Sequence, residues 1–140
     1  MARPLSTTIS YFSHDCRQSK TIYILESKYG NNGYAFWFKL LEILGETEGH
    51  AFKVTTAECW EYLIARTGVE EDVARDILAT LVDLAAIDRD LYEEGVIFTQ
   101  NFVDRLSFLY ARRKQDAPTK ESVGKSTLFR DCAFFDIQAF

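Results

Sequence analysis

The stretch from Gly30 to His50, GNNGYAFWFKLLEILGETEGH, constrains the fold more than any other part of this 140-residue chain. Asn31, Asn32 and Gly33 read as a break, after which Tyr34, Trp37, Phe38, Leu41 and Leu44 fall at the spacing of one helical face. Phe36, Leu40 and Ile43 form a second apolar stripe beside the first. A helix that is apolar most of the way round must be covered by neighbours on several sides. The spacing therefore predicts a central helix over 33–47 that the other elements pack against.

The flanking segments supply those neighbours. Residues 1–16 read as an extended lead-in anchored by Tyr11-Phe12, and Ser13 or Asp15 is placed to cap a helix from about Arg17 to Tyr29. Residues 50–54 are a short strand candidate. Thr55 and Glu58 have the spacing of a capping box for a helix over 55–67, which Gly68 stops. Glu70, Glu71 and Asp72 suit the positive end of a further helix over 70–84 that buries Val73, Ile77, Leu81 and Leu84. Alternation at Ile87, Arg89 and Leu91, then at Val96 and Phe98, predicts a β-hairpin over 87–98. A last helix runs from Thr99–Asn101 to about Arg113. The expected class is mainly α with a small β-hairpin, a winged helix-turn-helix with additional N- and C-terminal helices. Its domain covers 1–116, followed by a linker over 117–127 and an apolar tail over 128–140.

With 47% hydrophobic and 14% aromatic residues, the composition suits one folded domain rather than a disordered chain. No apolar run approaches the roughly 18 residues of a membrane span, and MARPLSTTISYF lacks the continuous apolar segment of a secretory leader. A cytoplasmic protein without membrane contact is expected. Cys16, Cys59 and Cys132 have no paired spacing, which suits free and mostly buried thiols in a reducing compartment.

Charge is distributed unevenly. Residues 42–104 carry 15 acids against Lys53, Arg66, Arg75 and Arg89, while both ends are basic. Arg112, Arg113, Lys114, Lys120 and Lys125 are the candidate nucleic-acid contacts, able to meet phosphates without reading sequence. Arg and Lys are equally at home in the last turn of any helix. Glu70, Glu71, Asp72 and Asp76 of the 70–84 helix, with Glu93 and Glu94, are the candidate protein interface. In a winged helix that helix would enter the major groove, and its carboxylates would repel the phosphates that a duplex reader neutralises. Phe134, Phe135 and Phe140 in the tail are further interface candidates. They dock either on the domain, a second copy included, or on a foreign partner.

Other chemistry finds little support. Gly124-Lys125-Ser126-Thr127 resembles the end of a phosphate-binding loop, but Thr119 stands where its first glycine belongs and no strand precedes it. His14, His50 and the cysteines lack the spacing of a zinc knuckle or finger, so no metal and no cofactor are expected. No nucleophile and base are organised for catalysis, and a non-enzyme is expected.

MARP at the start, YFSHD at 11–15, KYGNNGYAFWFKLLEILGETEG at 28–49, NFVDRL at 101–106 and ARRK at 111–114 together resemble the N-terminal domain of phage and prophage replication-initiation proteins. The family is the Lin1244/Lin1753-like one, related to the DnaD group. The resemblance implies a winged helix in a bacterial host cell, a replication protein as partner and weak DNA binding through the basic C-terminal region. Such proteins usually continue into a longer basic region, where this chain has its aromatic tail. The acidic middle suggests an alternative, a small phage-encoded inhibitor of a host defence nuclease, anti-CRISPR-like, acting by protein contact. Either role is compatible with a homo-oligomer.

Overall fold

A computed structural model describes residues 8–125 as a mainly helical domain with one two-stranded antiparallel sheet. The chain enters as an extended strap and turns into helix α1, Lys20–Tyr29. Ser19, not Ser13 or Asp15, caps it by accepting from the amide of Ile22, because the helix starts at Lys20 rather than near Arg17; Asp15 pairs with Arg105 instead. Gly30, with φ of 66°, ends α1 and lets helix α2, Asn31–Glu46, start at once. The break thus falls one residue before the Asn-Asn-Gly run, and Gly33 sits inside the helix.

Helix α2 is the centre of the domain, touching α1, the sheet and the next α-helix along the chain. Its two stripes exchange the expected ranks. Phe36, Leu40 and Ile43 are buried with Leu41 and Leu44, whereas Tyr34, Trp37 and Phe38 are only half-buried. After a single 3-10 turn, Glu48–His50, strand β1 covers Ala51–Lys53. Helix α3, Ala57–Thr67, is capped by Thr56, one residue after the expected Thr55, and stops at Gly68 in the left-handed conformation. Helix α4, Glu71–Asp83, buries Ala74, Ile77, Leu78, Leu81 and Val82, while Val73 and Leu84 stay half-exposed.

The hairpin expected over 87–98 forms only in its second arm. Arg89–Glu93 is a short helix, α5, because the Asp88 carboxylate accepts the amide of Leu91 and starts a turn. Strand β2, Val96–Phe98, pairs instead with β1, in the register Ala51 with Phe98, Phe52 with Ile97 and Lys53 with Val96. Successive side chains on a strand point to opposite faces. Phe52 and Ile97 accordingly enter the main core with α2, α3 and α4, and Ala51, Val96 and Phe98 enter a second, smaller core with Leu91 and Val103.

The last expected helix is divided into α6, Gln100–Asp104, and α7, Ser107–Arg113. Within the expected linker, Lys120–Lys125 forms a further helix, α8, and Val123 is buried in the second core. Thr119 and Ser122 start α8 by each accepting the other's backbone amide, at 3.1 and 2.8 Å. The expectation of free, mostly buried thiols is corrected at Cys16, which is free but exposed; Cys59 is buried, and Cys132 lies outside the described residues. Among the described residues, no helix is long and apolar enough to cross a membrane. Phe134, Phe135 and Phe140 lie outside the described residues.

Candidate functional site

The acidic candidates share α4 and the end of α5, but they are not equivalent. Glu70, at the N-cap of α4, and Asp72 are exposed, and neither has a cation partner among the described residues. Glu71 binds Arg75 one turn on at 3.0 Å, and the Arg75 guanidinium lies 4.0 Å over the ring of buried Trp60. Asp76 serves the fold, accepting the Tyr29 hydroxyl at 2.7 Å. Burial pushes the Tyr29 phenol above its ordinary value; the Thr80 hydroxyl opposes this and the Asp76 carboxylate adds to it, so the phenol stays a donor. Glu93 and Glu94 are exposed where α5 ends.

The basic candidates do not form one patch of unengaged charge. Lys120 is taken up by Asp90 at 2.6 Å and Asp88 at 3.2 Å, which ties α8 to α5. The Lys120 hydrogen bond holds the Asp90 carboxyl below its usual range. Arg113 donates to the Thr8 carbonyl at 3.0 Å and so clamps the strap onto α7. Arg112 and Lys114 are exposed, and Lys114 closes α7 with a φ of 57°. Lys125 ends α8, with Gly124 also helical, so the part of the Gly-Lys-Ser-Thr run that is described forms no phosphate loop.

Sequence reasoning missed a groove of about 1100 Å³ among the described residues, between the strap, α2 and α6–α7. Phe12 anchors the strap edge-on to Phe102 at 5.4 Å, and the Ile9 amide bonds the Gly45 carbonyl at 2.9 Å. His14 stacks flat on Phe38 at 4.0 Å and meets the Tyr34 hydroxyl at 3.0 Å, which explains why those α2 rings stay half-open. The charged lining consists of Arg17, Arg105, Arg112 and Arg113 against Asp15 and Asp104. The basic N-terminal and C-terminal parts thus meet on this groove, and none of its lining comes from α4 or α5. The signal in the sequence was the pair of basic ends flanking an acidic middle.

The fold and groove define a small mainly helical domain with a two-stranded antiparallel sheet. The sequence model of the Lin1244/Lin1753-like N-terminal family matches residues 11–103, and the chain belongs to that family. No curated protein and no solved structure matches it.

Proposed function

We propose that the chain is a winged helix-turn-helix module of a phage or mobile element, DnaD-related, acting without catalysis in replication initiation in a bacterial cytoplasm. It binds replication proteins, DNA or both. Family membership supports this reading, as does the order α2, β1, α3, α4, β2. One observation carries it furthest. The helix that would meet duplex phosphates opens with exposed Glu70 and Asp72 and with Glu71, whose neighbour Arg75 is directed onto Trp60. Carboxylates there oppose the counterion release on which duplex binding depends, and they suit a basic protein surface.

The test is co-purification with bacterial replication proteins, for the natural chain and for Glu70→Lys, Glu71→Lys, Asp72→Lys combined. Capture should be lost on reversal; capture that survives reversal would sink the role of this face. The same exposed turn also favours a second reading, in which it occupies the basic groove of a host defence nuclease. Inhibition of such a nuclease by the purified chain, relieved by the same reversal, distinguishes the two.

A further inference from the structure

We propose that the groove between the strap and α7 binds single-stranded nucleic acid, bases stacking on Tyr11 and Phe108 and phosphates meeting Arg17 and Arg112. This rests on the reading above only in taking nucleic acid as a partner. It uses neither α4 nor the acidic turn.

Tyr11 is 86% exposed and Phe108 60%, two of the three large hydrophobic side chains left in solvent among the described residues. Both line the groove. The strap is pinned on either side of Tyr11, by Ile9 on Gly45 and by Phe12 on Phe102, so this ring is presented outward by anchored backbone. Phe108 lies on α7, one turn before Arg112, whose guanidinium lies 5.9 Å over its ring.

Available cations lie beside these rings. Arg105 is paired with Asp15 and Arg113 is held by the strap carbonyl. Arg17 and Arg112 are exposed and belong to no ion pair among the described residues. An aromatic platform beside arginines is the arrangement that holds single strands, because every base has a face to stack and every linkage a phosphate. A duplex keeps its bases stacked on one another and cannot use the rings. An acidic peptide would meet the arginines but leave the rings in water.

The experiment measures anisotropy of a fluorescein-labelled oligothymidylate of about 15 nucleotides with the full chain, across a salt series. Binding should appear at low salt, with log affinity falling against log salt by about 0.7 for each phosphate met. Tyr11→Ala and Phe108→Ala should each weaken it about 5- to 100-fold, and Arg112→Gln should flatten the salt slope. Unchanged thermal melting of these surface variants would show that the losses come from the groove. No binding at low salt overturns the proposal. So does binding indifferent to both ring deletions, a duplex that competes better than the single strand, or polyglutamate that competes as well. Protein capture through α4 should survive Tyr11→Ala and Phe108→Ala, so failure of either proposal leaves the other standing.

Discussion

The hydroxyl of Tyr110 donates to Nε2 of His50, and this buried pair joins α7 to the turn that follows α2. The direction follows from the other ring nitrogen. Nδ1 lies 2.9 Å from the Leu44 carbonyl, which only accepts, so Nδ1 carries a proton, and burial, which disfavours a second, leaves Nε2 a bare acceptor. The imidazole is therefore neutral with both nitrogens satisfied. Burial pushes its pKa below the ordinary histidine value; the Leu44 carbonyl opposes this, and the Arg113 guanidinium adds to it. Burial also pushes the Tyr110 phenol up, which keeps its proton in place.

A pH dependence follows from that pair. As pH falls through about 6.5 the unfolded chain protonates His50 while the folded chain resists, so the unfolded state binds more protons and stability drops. Melting temperature should decline from pH of about 7 towards 5, and His50→Gln should flatten the decline at lower overall stability. Tyr110→Phe leaves Nε2 without its donor and should cost about 1–3 kcal/mol at neutral pH. Thermal melts across pH check both.

Gly33 lets α1 and α2 approach. A Cβ there would lie 2.5 Å from the Leu25 carbonyl oxygen and 2.9 Å from the Tyr29 Cβ. The first of these is backbone, so relief requires the two helices to separate. Gly33→Ala should destabilise the domain by about 1–3 kcal/mol, measured by urea unfolding. Gly30→Ala should also destabilise, but through its φ of 66°, since its Cβ would meet nothing within 4 Å.

These two glycines show what the sequence could and could not tell. The helical spacing from Tyr34 to Leu44 located α2, and the same logic located α3 and α4. Which stripe of α2 is innermost was not legible, because both are apolar and the outer one is covered only in part, by His14 of the strap on Tyr34 and Phe38. Ile87 and Leu91 fit a strand and a helical turn equally well, and the Asp88 cap decides for the helix. The acidic face was legible because it is contiguous in the chain. The groove was not, since it joins residues 9–19 to 99–113. Of the basic candidates, Arg113 and Lys120 turned out to hold elements together, which charge alone does not reveal.

Tyr29 clamps α1 to α4. Its hydroxyl lies 2.7 Å from the Asp76 carboxylate and 2.9 Å from the Thr80 hydroxyl. Tyr29→Phe should cost about 0.5–1.5 kcal/mol, at the lower end because the site is partly exposed. Asp76→Asn, which keeps an acceptor, should cost less. Chemical denaturation gives both values. An effect of Asp76→Lys on partner capture, without a matching loss of stability, would return Asp76 to the interface from which the Tyr29 contact withdraws it.

Helix α8 is held by one apolar and one ionic contact. Val123 is 4% exposed among Leu91, Val96, Phe98 and Val103, and Lys120 bridges Asp88 and Asp90. A buried valine contributes about 1.5–3 kcal/mol, enough to hold a six-residue helix that would not persist alone. The ion pairs are open to solvent on the Lys120 and Asp90 side and screened by salt. Val123→Asp should therefore release α8, seen as rapid hydrogen exchange over residues 120–125 while α2 amides stay protected. Lys120→Ala should produce a much smaller, salt-dependent increase. If exchange over 120–125 is equally fast in the natural chain, the segment is a linker after all and the buried valine does not hold it.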